Sequence, residues 1–266
     1  MTVTVEKQGA VTTVIHARHE ARNAVDPASA EALAKAFLAF EQDPGASVAV
    51  LWGAGGVFCS GWDLKHAAAL MGQERPLAAL DFPPAGEAVP HGPMGPTRLE
   101  LSKPVIAAIA GPAVAGGMEI ALWCDLRVME EDAYFGVYNR RWGIPLIDGG
   151  TVRLPRLVGE GRALDIILTG RKVTADEAAR IGLCDRVVPR GEARAAEEAL
   201  AQEIALFPQG AVRADRRAVR LQHGRPVMEA MRLEWQNAAG LIESEGARGA
   251  ARFAAGEGRH GNGADA

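Results

Sequence analysis

Gly111-Pro112-Ala113-Val114-Ala115-Gly116-Gly117-Met118-Glu119-Ile120 joins an apolar run to an acidic helix start through a glycine turn. The run before it, Pro104-Val105-Ile106-Ala107-Ala108-Ile109-Ala110, is short and bounded by Lys103-Pro104 and Gly111, so it reads as a buried strand. After Gly117 the spacing of Ile120, Leu122 and Trp123 is helical up to Cys124-Asp125. Adjacent glycines let a backbone approach a ligand closely, and the free N–H groups and positive dipole end of the following helix favour a negative oxygen. Glu119 falls about one turn from that oxygen.

The same layout occurs upstream. Val48-Ala49-Val50-Leu51-Trp52 reads as a buried strand, followed by Gly53-Ala54-Gly55-Gly56, a short Val57-Phe58-Cys59 strand, and Ser60-Gly61-Trp62-Asp63-Leu64-Lys65, where a second helix begins. A repeated strand, turn and helix unit is first a structural device. It also brings two turns with exposed N–H groups to one edge of a stack, where they can grip a single carbonyl oxygen.

Outward from these turns, Val3 to Lys7 and Val11 to His16 flank Gln8-Gly9-Ala10 as a hairpin. Asp26 at the N-cap and Pro27 at the first helical position open a helix carrying Leu33, Phe37 and Phe40, which Asp43-Pro44-Gly45 stops. The stretch from Asp81 to Pro96 is too rich in Pro and Gly for a helix or a central strand. Leu126 to Met129 and Tyr134 to Val137 read as strands, and Thr151 to Val158 as a helix. From Arg162 to Ala255 the pattern is mainly helical, broken by one strand over Cys184 to Pro189, and Gly256 to Ala266 reads as a frayed tail.

Composition narrows the function classes. The chain has 266 residues, enough for one large domain, with 48% hydrophobic and 23% charged residues and a net charge of −4. That balance gives no electrostatic reason to expect nucleic acid or an anionic membrane as partner. No apolar run reaches the roughly 18 to 20 residues that span a bilayer, and the N-terminus alternates like a strand, so a cytoplasmic protein is expected. Cys59, Cys124 and Cys184 are too scattered for a disulfide framework, and no Cys/His cluster has zinc spacing. Reduced thiols and no metal are expected.

Arg22-Asn23-Ala24, Phe58-Cys59-Ser60-Gly61-Trp62-Asp63-Leu64, Gly111 to Glu119, Cys124-Asp125, Phe135-Gly136, Gly149-Gly150-Thr151, Leu168-Thr169-Gly170 and the set Ala175, Glu177, Ala178, Gly182, Leu183 occur in this order over nearly the whole chain. The ordered set resembles the crotonase superfamily, whose best-known members are enoyl-CoA hydratases. The resemblance implies an α/β fold, a crotonase-like spiral of repeated ββα units over 1–190 containing the active site. A C-terminal helical oligomerisation module over 191–255 would assemble trimers, often paired into hexamers, and a flexible tail would cover 256–266.

The resemblance further implies an acyl-CoA thioester as ligand, with coenzyme A arriving as part of the substrate and no other cofactor. Its two oxyanion N–H groups carry over to Trp62 and Gly116. Such preorganised donors contribute about 3 to 4 kcal/mol each when charge moves onto the carbonyl oxygen. Glu119 occupies the place of the first catalytic glutamate; alone, an acid in a first helical turn only stabilises the dipole, by about 0.3 to 1 kcal/mol. The second glutamate of the hydratases is replaced by Asn139, whose amide can orient a water but cannot act as a general base.

Asp148 stands in a loop where some superfamily members, the dienoyl-CoA isomerases among them, place a working aspartate; it equally suits a helix N-cap. As an alternative to a working Asp148, Arg140 and Arg141 could pair with Asp148 or Glu119, which would lower the carboxylate pKa. The CoA portion would meet Arg22, the backbone around Ala24, and Asp63, Leu64 and Lys65. The stripe Arg213, Arg216, Arg217, Arg220 fits an exposed helix face better than a phosphate site, and Trp142 and Trp235 fit core or interface anchors. The loop over Asp81 to Pro96 is either plain surface or the wall of an acyl pocket. Hydration of a 2-enoyl-CoA is the leading expectation; the alternatives are a double-bond isomerase using one carboxylate and a non-catalytic acyl-CoA-binding homologue.

Overall fold

Two nested sheets organise the computed structural model, which describes residues 2–256. The larger sheet begins with a hairpin of β1 (Val3–Gln8) and β2 (Val11–His16). It continues in parallel through β3 (Val48–Gly53), β4 (Val105–Ile109), β6 (Leu126–Glu130) and β9 (Arg186–Val188), in the order β1-β2-β3-β4-β6-β9. A smaller sheet orders β5 (Pro112–Val114), β7 (Tyr134–Gly136) and β8 (Lys172–Thr174) as β5-β7-β8. β8 is too short to show a period of its own, which is why no sequence pattern announced it.

Ten α-helices complete the described chain: α1 (Pro27–Gln42), α2 (Leu64–Met71), α3 (Gly116–Trp123), α4 (Gly150–Val158), α5 (Glu160–Thr169), α6 (Ala175–Arg180), α7 (Ala193–Ala205), α8 (Gln209–Leu221), α9 (Val227–Leu241) and α10 (Ala247–Ala255). β3 leads to α2, and β4 with β5 leads to α3, which is the repeated unit read from the sequence. In the first unit the expected Val57 to Cys59 strand shrinks to one parallel rung, Cys59 opposite Ala113. That rung sets the first glycine turn beside the second.

The apolar strands are continuous because the large sheet is covered on both faces. Val14, Ala49, Leu51, Ala107, Ile109 and Met129 point into one core with Leu33, Phe37 and Phe40 of α1. The alternate residues Val11, Val48, Val50, Ile106, Ala108 and Val128 meet Ala193, Leu200 and Ala201 of α7. α7, placed by the sequence division with the C-terminal module, is therefore bonded by packing to the sheet. α9 and α10 have no buried residue, and Val227, Met228, Met231 and Trp235 are exposed. Past Gly256 the expected tail lies outside the described residues.

The helix signals act as chemistry dictates. Asp26 accepts the Ser29 N–H at 2.8 Å and caps α1, with Pro27 following. Asp63 caps α2 by accepting the Lys65 and His66 N–H groups. The three cysteines are buried and free.

Candidate active site

Two glycines allow the two turns to touch, and a third makes room for Met94. Gly61 has φ +99°, and a Cβ there would lie 3.0 Å from the Ala115 Cβ and 3.1 Å from the Gly116 nitrogen. A Cβ on Gly117 would meet the Cys59 carbonyl oxygen at 2.2 Å, and one on Gly116 the Met94 sulfur at 2.4 Å. Ala115, with φ +53° and ψ −125°, turns the chain sharply into α3. The flanking amides are spent: Val25 N–H donates to the Gly61 carbonyl, Asp63 N–H to the Val25 carbonyl and Ala115 N–H to the Gly136 carbonyl. The Trp62 and Gly116 N–H groups, by contrast, have no partner among the described residues.

Trp62, Gly116, Glu119, Asn139 and Asp148 all line one narrow pocket, together with Ser60, Leu64, Pro93, Met94, Tyr138, Trp142 and Ile144. The structure thus brings together all five residues singled out for chemistry. Glu119 is only 3% exposed, and its Oε1 accepts two amides, Asp148 N–H at 2.9 Å and Gly150 N–H at 2.8 Å. Its Oε2 has no partner among the described residues. Burial, reinforced by the nearby Asp148 carboxylate, pushes Glu119 up to about 7, against the two amides and the Arg153 charge.

Asp148 does not cap α4, whose N-cap is Gly149 without a side-chain bond. Its Oδ1 accepts the Thr97 hydroxyl and, at 3.3 Å, the Met94 N–H, while Oδ2 is left without a partner among the described residues. Burial raises its pKa; the Thr97 hydroxyl, the Met94 amide and the charges of Arg98 and Arg153 oppose the rise. A Cβ on Gly92 would stand 2.3 Å from Asp148 Oδ1, so this glycine makes room for the carboxylate. Two buried carboxylates, each with one held and one uncommitted oxygen and a raised pKa, suit proton transfer.

The amide of Asn139 is oriented by Nδ2 donating to the Ile144 carbonyl at 2.7 Å, leaving Oδ1 buried without a partner. The expected arginine pairings do not form. Arg140 donates to the Ile167 carbonyl and Arg141 lies 4.1 Å over the Tyr138 ring. The charges that act on the carboxylates are those of Arg98, on Asp148, and Arg153, on both.

On the side expected to meet CoA, Arg22 is exposed and Ala24 is buried with its carbonyl accepting Arg18 Nη1 at 3.1 Å. Lys65 and Leu64 are exposed at the start of α2. The Asp63 carboxylate is committed to its cap and to Arg18 at 2.6 Å, and its backbone N–H and carbonyl are taken by Val25 and Ala67, so Asp63 shapes this corner without offering a free group. Burial alone would raise Asp63, yet the bond from Arg18 and the capping amides leave it lowered. Asn23 fastens this corner, donating to the Ala54 and Val57 carbonyls and accepting the Arg18 N–H.

Several site residues gave no sequence signal: Met94, Thr97 and Arg153 matter only through neighbours distant in the chain. The Asp81 to Pro96 stretch divides, with Pro93 and Met94 forming pocket wall while Phe82 and Val89 are exposed. Trp142 is not a core anchor but is 68% exposed at the pocket mouth. The arginine stripe partly turns inward: Arg216 and Arg220 donate to Asp125 at 2.9 and 2.7 Å and fasten α8 to the sheet.

Comparison with known proteins identifies the family. The enoyl-CoA hydratase/isomerase family model matches residues 6–259. The enoyl-CoA hydratase EchA19 of Mycobacterium tuberculosis is 37% identical over 239 residues, 87% of this chain and 85% of the relative. Carnitinyl-CoA dehydratase of Salmonella typhi is 38% identical over 212 residues, 79% of this chain and 77% of the relative. Among solved structures, an enoyl-CoA hydratase from Mycobacterium tuberculosis superimposes with a TM-score of 0.85 at 33% identity, covering 95% of each chain. With the paired glycine turns, the buried glutamate and these matches, the chain belongs to the enoyl-CoA hydratase/isomerase family.

Proposed function

We propose that the protein is an enoyl-CoA hydratase-like hydro-lyase, adding water to a 2-enoyl-CoA thioester or removing it through an oxyanion-stabilised enolate. The observation that carries this reading is that two unpartnered N–H groups and two half-free carboxylates line the same pocket. The Trp62 and Gly116 N–H groups hold the thioester oxygen as negative charge develops on it. The water oxygen bonds to Cβ and its proton passes to one carboxylate; the other carboxylate delivers a proton to Cα. Glu119, near neutrality, can take either part. Asn139 orients a reacting group without exchanging a proton, so Asp148 takes over the role of a second glutamate.

Relatives named as an enoyl-CoA hydratase and a carnitinyl-CoA dehydratase support hydration or dehydration over the isomerase and binding-only alternatives. The CoA portion is assigned to Arg22, the Ala24 backbone, Leu64 and Lys65. The reaction calls for no metal or redox group. The apolar side chains exposed on α9 support assembly into trimers or pairs of trimers. A cytoplasmic setting belongs to the same reading; among the described residues no helix is long and apolar enough to cross a membrane.

The test is hydration of crotonyl-CoA and longer 2-enoyl-CoAs, followed by loss of the conjugated thioester absorbance and by product analysis. Glu119→Gln and Asp148→Asn each lower kcat by about 10² to 10⁴-fold while CoA esters still bind. Binding without turnover of any 2-enoyl-CoA by the unaltered protein sinks the proposal. Wild-type turnover in Asp148→Asn removes Asp148 from it.

A further inference from the structure

Arg153, on α4, faces the site from behind. Its Nη1 donates to the Asp148 carbonyl at 2.9 Å and its Nη2 to the Thr97 carbonyl at 2.7 Å. These residues lie on separate segments, the turn Pro96–Arg98 and the loop before α4, 51 positions apart in the chain. Each supplies a group that fixes a carboxylate: the Thr97 hydroxyl bonds Asp148 Oδ1, and the Asp148 N–H bonds Glu119 Oε1. The planar fork of a guanidinium spans two acceptors in fixed geometry, which a lysine ammonium does not reproduce.

Glycine makes room for the fork as well. Gly149 has φ +93°, and a Cβ on it would stand 2.2 Å from Arg153 Nη1. Neither Arg153 bond goes to a carboxylate oxygen, so the positive charge lies close to Glu119 and Asp148 without capturing the oxygens they present to the pocket. We infer that Arg153 is a positioning residue, a clamp that joins the Thr97 turn to the Asp148 loop and thereby holds both carboxylates in reacting geometry. The inference rests on the proposed acid/base pair, and it assigns a part to a residue that does not line the substrate pocket.

The charged and titratable groups around this clamp come from four elements. Glu119 and Cys124 stand at the two ends of α3, Asp148 precedes α4, Arg98 lies in the Thr97 turn and Arg220 reaches in from α8. Arg153 lowers both carboxylates, while burial and Arg220 lower its own pKa. Loss of its charge therefore lets both carboxylates hold their protons to higher pH.

The test uses Arg153→Met and Arg153→Lys in the full chain, with folding checked by thermal melting. Arg153→Met lowers kcat by about 10²-fold with KM little changed, because the reacting groups and not the CoA contacts are displaced. Both limbs of its kcat/KM profile move to higher pH. Arg153→Lys keeps the limbs in place but still lowers kcat. A folded Arg153→Met with unchanged kcat and unchanged limbs overturns the inference, as does a loss of rate with no displacement of the limbs, which marks a purely structural role. Should Arg153→Met fail to fold, wild-type kcat in Arg153→Lys overturns it.

A readout free of turnover separates this inference from the function itself. The carboxyl titration of Glu119, followed by difference infrared spectroscopy and assigned with Glu119→Gln, moves upward in Arg153→Met whichever reaction the pocket performs. No upward movement overturns the clamp even if hydration is confirmed.

Discussion

Gly61 shows how one hydrogen atom in place of a methyl sustains the site. Its φ of +99° excludes most L residues, and the missing Cβ leaves the Gly116 nitrogen uncovered. Gly61→Ala is therefore expected to lower kcat by about 10² to 10³-fold, the cost of one lost oxyanion donor. Steady-state kinetics beside a melting curve check this, since a loss of rate in a folded protein is the signature. Glu119 and the second glycine turn were legible in the sequence because Gly116 and the first carboxylate are neighbours along one helix start. Asp148 was legible only as a choice between catalyst and cap; what decides against the cap is Thr97, which sequence spacing cannot connect to it. Arg153 was invisible for the same reason, its contacts being made to carbonyls that every residue carries.

At the scale of elements, β3 and β4 were legible because burial on both sheet faces makes their residues uniformly apolar. α7 was less so, since its role depends on Glu197. That side chain is fully buried against the large sheet, with Oε1 accepting the Val128 N–H at 2.8 Å and Oε2 unpartnered. Burial pushes it from 4.5 up to about 9, so the folded protein holds it protonated at neutral pH while the unfolded chain ionises it. Its contribution to stability is present below pH 4.5 and is lost as pH rises through about 9. Glu197→Gln keeps an acceptor for Val128 and removes the ionisation. It should raise Tm at pH 8, by about 2 to 4 °C for each kcal/mol gained, and change it little at pH 5. Equal effects at both values would show that Glu197 is ionised in the fold.

For the whole molecule, the two-sheet spiral closes its own core but leaves α9 uncovered, with Met231 53% and Trp235 65% exposed. The double change Met231→Glu and Trp235→Glu is expected to reduce the proposed trimer to single chains in sedimentation velocity. An unchanged assembly would place the contact elsewhere. Such a surface is hard to read from sequence, because a helix face that meets a second chain has the same period as one that meets its own core. The rung between Cys59 and Ala113 bears on how a protein of this kind diverges. Backbone pairing sets the spacing of the two amides while the Trp62 side chain packs against the core, so other pocket-wall residues can change with the substrate while the amide spacing is kept.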